Sequence, residues 1–542
     1  MKKKSILLAS ILLAISVLLS LFVLYTPIPS SDSSGFSAVS AAGFIKDFSL
    51  APHSIYDEEA HEEVRMYLKD TLSEFIGEDQ VFEYDYTAAE AGTDYDVHDL
   101  FGIIPGQSDI AVMLVAHYDS RGHIGRSGEL GGSYGAADDG YGLAVILEIA
   151  RLFGGRDDLQ NSIYVLFTDA EEVGLDGARM FAQESDIMAN VGFVINLEAR
   201  GIQGAAYMFE TSANNETIID FYHNADLPVS YSIATAVYRV MPNLTDFTEF
   251  LDIDKQGVNF AVLDSLYYYH TPRDNYTNIN LSSIQHYGAQ VLPLVEEFTS
   301  DSVYSDVNYF VGAQDQVFFT LFPNVFVSYT DAFARIFQLL LFAIEIALLV
   351  YLILKKEIRG VSVIKNTGWI FLSIVVFGVV YLYLSKLIAW IGKTPWNLTY
   401  VRMEGSELPT LILMIVGVVG YDLLYRKLVK SETERKAFII AAILINIVLA
   451  NLTGWTLSGA SFLFLIPSLM GLLVLILETF VKKPLVYWIS SSVAILIMLL
   501  VLIPLLYSLF MALTVGGLAA LVAIMIFYLI LLVPLFEKQL HS

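Results

Sequence analysis

The sequence predicts an α/β domain joined to an all-α, multi-pass transmembrane domain. Three observations carry that division. Between residues 51 and 305, short apolar runs alternate with amphipathic stretches, the pattern of a sheet with helices on both faces. From residue 335 onward the chain is a succession of apolar segments, each long enough to span a bilayer. Charge divides at the same place: residues 27–332 hold 48 acidic against 12 basic side chains, and the remainder holds 9 against 19. A mean hydropathy of +0.57 over 542 residues is too high for a wholly soluble protein.

Taken in order, residues 1–26 open with three lysines followed by about 20 apolar residues, the length of a membrane span. Without an evident Ala-x-Ala cleavage site, this segment reads as an uncleaved signal anchor whose lysines stay in the cytoplasm. Residues 27–50 are Ser-rich over 30–40 and read as a linker. In the 51–305 domain, residues 59–75 read as helix, and 81–86 and 97–104 alternate like strands. Residues 110–116, 162–168, 191–197 and 258–263 are apolar runs suited to buried strands. Residues 143–150, 175–183 and 282–298 carry helical spacing. A second linker is expected over 306–334.

Residues 335–542 divide into about seven spans, near 335–354, 367–390, 408–425, 437–455, 457–480, 484–506 and 514–536. A weak turn over 508–517 separates the last two. Basic residues follow alternate spans: Lys355, Lys356 and Arg359, then Arg426, Lys427 and Lys430, then Lys482 and Lys483, then Lys538. The intervening loops carry only Lys393 and Arg402. The positive-inside rule therefore places the acidic domain outside the cytoplasm. Four charges fall within the spans, Glu345, Lys386, Asp422 and Glu478, and only Glu345 lies well inside one.

The chemistry concentrates where apolar runs end. The run over 110–116 leads into His117 and Asp119, then through a Gly-rich loop to Asp138 and Asp139. The run over 162–168 leads to Glu171 and Glu172, that over 191–197 to Glu198 and Arg200, and that over 258–263 to His270. Ligands of open α/β sheets sit beyond the carboxyl ends of strands, so these side chains are placed to converge. Cysteine is absent, which excludes disulfides, thiolate metal sites and cysteine nucleophiles. A metal held by this chain must take His and carboxylate, a set suited to catalytic zinc. Two ions sharing one carboxylate need about five such ligands, and adjacent Glu171 and Glu172 suit a division between proton transfer and ligation. Asp139 and Arg200 read as structural.

The motifs HYD at 117–119, GAADDGYG at 135–142, DAEEVGLDGA at 169–178, NLEARG at 196–201 and YYHTPRD at 268–274 resemble, in order and spacing, the di-zinc aminopeptidases of the M28 peptidase family. The multi-pass layout resembles that family's membrane-bound branch of endoplasmic-reticulum and vacuolar proteases. The resemblance implies a zinc-peptidase (phosphorylase/hydrolase-like) sandwich with a mixed central sheet, and two Zn2+ per chain. It assigns His117 and Glu198 to one ion, Glu172 and His270 to the other, and Asp138 to both. Glu171 then matches the general base, and Asp119 matches the catalytic carboxylate that orients His117. Asp274 is a further supporting candidate. Glu198 stands where several soluble members carry Asp, and the tyrosine that steadies the oxyanion in some of them has no clear counterpart over 241–250, Tyr238 being the nearest candidate.

The implied partners are a peptide substrate and the lipid bilayer. The acidic domain excludes nucleic acid, whose phosphates require clustered Lys and Arg. The absence of cysteine and the short MKKK start favour a bacterial plasma membrane, with a eukaryotic lumen as the other compartment. Two other functional readings stand beside the aminopeptidase: a peptidase-like binding domain on a transport or signalling membrane module, and a single-zinc enzyme resembling glutaminyl cyclase. The Tyr267–Tyr269 run is expected to pack within a strand.

Overall fold

The computed structural model describes every residue except Met1, 125–128, 131, 240–243, 399–400, Arg402 and Ser542. Arg402 of the basic count and the start of the 241–250 stretch therefore lie outside the described residues. The chain forms two compact units, one of Leu24–Gln316 with Pro323–Phe326, the other of Met1–Val23, Val317–Phe322 and Val327–Ser542.

Following α1 (Lys2–Leu21), the α/β unit runs through α2 (Ala38–Phe48), α3 (Glu58–Ile76), β1 (Val81–Tyr86), α4 (Ala88–Ala91), β2 (Val97–Ile104), β3 (Ser108–His117), the ribbon β4 (His123–Ile124) and β5 (Glu129–Leu130), and α5 (Gly140–Phe153). It continues with β6 (Asn161–Thr168), α6 (Glu171–Gly174), α7 (Asp176–Phe181), α8 (Ser185–Met188), β7 (Val191–Ala199), β8 (Gln203–Thr211), α9 (Glu216–Tyr222), α10 (Ser232–Tyr238), α11 (Asp246–Leu251), β9 (Gly257–Asp264) and α12 (Leu281–Ser300).

Seven strands make one mixed sheet in the order β1-β2-β6-β3-β7-β9-β8. Its central strands β6, β3, β7 and β9 are mutually parallel, and β1, β2 and β8 join antiparallel. The central strands read as nearly continuous apolar runs because both faces are covered. Along β3, Ala111, Met113 and Val115 pack with Phe181, Met188 and Phe247 from the helices. The alternate residues Val112, Leu114 and Ala116 are equally buried, as a doubly covered sheet requires. The parallel pairing also brings His117 level with Thr168 at one edge, so the ends of β3, β6, β7 and β9 share a rim.

Four stretches differ from the sequence reading. Residues 27–50 contain helix α2, which buries Ala38, Ala41, Ala42, Ile45 and Phe48 and packs on α5 and α12. Its small-residue apolar face is masked in the sequence by neighbouring serines; Ser37 caps it, and Ser40 Oγ donates to Glu148 of α5 at 2.8 Å. Strand β8, with Gly204 and two alanines, has too weak a β signal to stand out. Tyr267, Tyr268 and Tyr269 lie in a turn beyond β9, where Arg273 sits 4.8 Å over the Tyr268 ring.

Residues 306–334 contain a hairpin, β10 (Gln316–Phe322) and β11 (Val325–Thr330), built from β-branched and aromatic residues. Beyond it run α13 (Asp331–Leu354), α14 (Gly360–Ile391), α15 (Glu407–Leu428), α16 (Glu432–Thr456), α17 (Phe462–Phe480), α18 (Pro484–Leu513) and α19 (Leu518–His541). Among the described residues, six apolar helical stretches are long enough to cross a membrane; the last, Pro484–Leu540, is broken into α18 and α19 by a 3-10 turn at Thr514–Gly517. The protein is thus a multi-pass membrane protein. Glu478 is paired with Arg435 and with Lys538, the latter at 2.6 Å, and Asp422 with Arg426 at 2.7 Å.

Gly177 lets α7 close onto the end of β6. Its N–H donates to the Asp169 carbonyl at 2.9 Å, and a Cβ there would lie 2.5 Å from that same oxygen. Gly177→Ala is therefore expected to destabilise the domain by about 1–3 kcal/mol, through forced backbone displacement. Thermal unfolding of the full chain should show a lowered midpoint.

Candidate metal centre

The rim of the sheet gathers the side chains that the sequence singled out. His117 is the last residue of β3, Glu198 lies next to the end of β7, and Glu171 and Glu172 open α6 just past β6. Asp138 precedes α5, whose first turn is capped by Asp139 through a 3.1 Å bond from Gly142 N–H. His270 stands six residues beyond β9, at a φ of 56°.

Asp138 lies between the two imidazoles. Its Oδ1 is 3.4 Å from His117 Nε2, and its Oδ2 is 3.2 Å from His270 Nε2. Glu198 Oε2 is 3.8 Å from His117 Nε2, and Glu172 Oε1 is 2.9 Å from His270 Nε2. Two triplets result, His117–Asp138–Glu198 and Asp138–Glu172–His270, each with its donor atoms within 4.8 Å of one another. They share Asp138.

The donor atoms behave as a metal site would require. His117 Nδ1 bonds the backbone carbonyl of Asp119 at 2.9 Å. A carbonyl only accepts, so Nδ1 carries the proton and Nε2 presents a lone pair. Among the described residues, His117 Nε2, Asp138 Oδ2, Glu172 Oε1 and His270 Nε2 are buried without a hydrogen-bond partner. Such groups are costly to bury unless something of opposite charge satisfies them. The nitrogen and oxygen donors fit a divalent ion of the zinc type.

Asp119 supports the site in two ways. Its carboxylate is 3.4 Å from His117 Nδ1, while its main chain takes the imidazole proton. The carboxylate itself accepts the backbone N–H groups of Glu171 at 3.0 Å and Glu172 at 3.2 Å. It therefore fixes the turn that carries both glutamates. Asp274 likewise acts through backbone, accepting from Ala137 N–H at 2.8 Å and Asp138 N–H at 3.3 Å, with Ser133 Oγ at 3.1 Å. Burial raises its proton affinity, to a pKa of about 7, with the Asp138 charge adding to the shift.

Glu171 forms part of neither triplet. Burial, followed by the neighbouring Glu198 charge, pushes its carboxyl well above the ordinary range. Tyr238 closes α10 with its ring 4.8 Å from Phe209. Burial raises its phenol too, and the carboxylates of Glu210, Glu198 and Glu171 add to the shift. The charge of Arg200 reaches both Tyr238 and Tyr269.

Two residues of the site escaped sequence reasoning. Arg121 Nη1 lies 3.2 Å from Glu172 Oε2, on the carboxylate oxygen turned away from His270, and also meets the Glu172 carbonyl. Asp246, at the start of α11, is buried and accepts from Thr168 Oγ1, the residue level with His117. Burial raises its carboxyl, and His117 opposes the shift. In sequence, Asp246 looks like an ordinary acidic residue behind the Thr245 cap.

Residues 99–295, which include every side chain of both triplets, match the family model described as peptidase family M28. The putative endoplasmic reticulum metallopeptidase 1 of Schizosaccharomyces pombe is 30% identical over 242 residues, covering 44% of this chain and 28% of that protein. Endoplasmic reticulum metallopeptidase 1 of Mus musculus is 26% identical over 300 residues, covering 53% of this chain and 32% of that protein. The chain thus spans about a third of the length of these curated relatives, or less. Among solved structures, a glutaminyl cyclase from an Acidobacteriales bacterium superposes with a TM-score of 0.39 at 16% identity, covering 51% of this chain and 99% of that one.

Removing the Asp119 carboxylate leaves two buried N–H donors unmatched. Asp119→Ala should lower the stability of metal-free protein by roughly 1–3 kcal/mol, and Asp119→Asn by less because it keeps one acceptor. Thermal unfolding after exhaustive chelation checks both.

Proposed function

We propose, from the match of residues 99–295 to peptidase family M28, that the chain is a membrane-anchored zinc aminopeptidase. The observation that carries the reading is Asp138, set between two His–carboxylate triplets that share it. In this reading His117, Asp138 and Glu198 hold one zinc, and Asp138, Glu172 and His270 hold a second. Bound there, the ions supply Lewis acidity towards a peptide carbonyl and acidify water.

The chain's own residues do the rest. Glu171, with a proton affinity raised by burial and by Glu198, accepts a proton from the attacking water and returns it to the leaving amine. Asp119 holds the Glu171 and Glu172 N–H groups, so the base and its ligating neighbour keep fixed positions. Retention of all five donors supports hydrolysis over a purely binding role. The basic loops after α13, α15 and α17 support an extracytoplasmic position for the peptidase domain, because those loops belong on the cytoplasmic side.

Glu171→Gln in the full-length protein is expected to lower kcat by at least about 100-fold, the scale of a lost general base, while bound zinc is unchanged. Peptides with a free N-terminus should be cleaved and their N-acetylated counterparts spared. Equal cleavage of both, or an unaffected kcat, contradicts the proposal.

A further inference from the structure

Behind Glu198 a row of polar side chains crosses three strands of the sheet. On β7, Asn196 and Glu198 are two residues apart and so share a face. The register sets Asn196 of β7 opposite Asn259 of β9, and Asn259 opposite Glu210 of β8. Strand β8 shifts its register between Met208 and Glu210, and that irregularity brings Glu210 rather than Phe209 against Asn259.

Hydrogen bonds run along the row without a break. Asn196 Nδ2 donates to Glu198 Oε1 at 3.3 Å and to Asn259 Oδ1 at 3.0 Å. Asn259 Nδ2 donates to Glu210 Oε2 at 3.1 Å and to Thr245 Oγ1 at 2.9 Å. Each amide thus uses both of its N–H groups. Because Asn259 turns its nitrogen to Glu210 and Thr245, its oxygen faces Asn196 and calls for a donor there. Burial raises the Glu210 carboxyl to about 7, and the Asn259 bond and the Arg239 charge oppose that shift, so at mildly alkaline pH Glu210 is an ionised acceptor.

Stability does not account for the row. Asn196 and Asn259 are fully buried and Glu210 is 5% exposed. Polar groups at such positions cost free energy that apolar side chains of the same shape would not. Asn196 Oδ1 is moreover buried without a hydrogen-bond partner among the described residues. What the row delivers at its inner end is an N–H on Glu198 Oε1. That leaves Oε2, the oxygen 3.8 Å from His117 Nε2, to face the centre. Glu172 is treated alike, since Arg121 occupies its Oε2 and leaves Oε1 towards His270.

We propose that Asn196, Asn259 and Glu210 are positioning residues that hold Glu198 as a one-oxygen ligand of the ion on the His117 side. The inference rests on the ligand role proposed above for Glu198 and adds the residues that orient it. Without the Asn196 donor, Glu198 loses its fixed orientation and is free to turn both oxygens to the ion.

The test uses the full-length protein in detergent with His270→Ala as the parent, so that the ion on the His117 side is read alone, and Co2+ as the probe at mildly alkaline pH. Equilibrium dialysis gives Kd, and the visible absorption band gives the number of donor atoms, since Co2+ absorbs more weakly as its coordination number rises. Asn259→Leu offers Asn196 no acceptor; it should raise Kd about tenfold, the lower end of what loss of a ligand's outer partner does, and weaken the band. Asn259→Asp combined with Glu210→Gln exchanges donor and acceptor at the outer end but still gives Asn196 an oxygen, and it should keep the parent's Kd and band. A purely structural row would move the thermal midpoint and leave both cobalt readouts unchanged. Folded Asn259→Leu or Asn196→Ala with the parent's Kd and band overturns the inference. So does a folded double variant that behaves like Asn259→Leu. A parent that binds no Co2+ overturns the ligand assignment as well, whereas variants that match a Co2+-binding parent overturn this inference alone.

Discussion

Asp138 turns one carboxylate oxygen towards His117 and the other towards His270, and the α/β unit is organised around keeping it there. Burying one carboxylate between two imidazoles and two further carboxylates is unfavourable unless a positive charge fills the centre. The protein supports that geometry mainly through backbone. Asp274 grips the N–H groups of Ala137 and Asp138, Asp119 grips those of Glu171 and Glu172, and the Asp119 carbonyl sets the His117 tautomer. Acidic side chains therefore serve as braces for the acidic side chains that face the centre. That division accounts for much of the negative charge on the rim without assigning every carboxylate to an ion.

The sheet makes the convergence possible. Four parallel strands end on one edge, so residues separated by more than 150 positions in sequence, His117 and His270 among them, arrive at the same place. Close approach is part of the design as well as strand order. Gly177 brings α7 against the end of β6, and Gly257 lets β9 lie against β7 where a Cβ would meet backbone. In the membrane unit the same economy appears in reverse. Arg435, Glu478, Glu432 and Lys538 neutralise one another at the helix ends, whereas the buried Glu345 carboxylate has no hydrogen-bond partner among the described residues.

The residues that face the centre were legible in the sequence because each follows an apolar run, and strand ends are where α/β sheets place chemistry. The braces were harder to read. Asp119 was visible as a carboxylate near His117, but its bonds to α6 depend on a turn that no spacing rule specifies. Asp246 and Arg121 carried no signal at all, since one resembles a helix-start acid and the other a loop cation. Helix α2 hid behind serines, and β8 behind glycine and alanine. In the membrane unit, the inward orientation of Glu345 emerged only from the packing of α13.

Zinc content of Asp138 variants, measured by mass spectrometry on the purified full-length protein, tests the central claim most directly. Because the Asp138 carboxylate belongs to both triplets, wild type should hold about two zinc ions, His270→Ala about one, and Asp138→Ala fewer than either. An Asp138→Ala protein that is folded and still holds as much zinc as wild type would contradict the shared carboxylate.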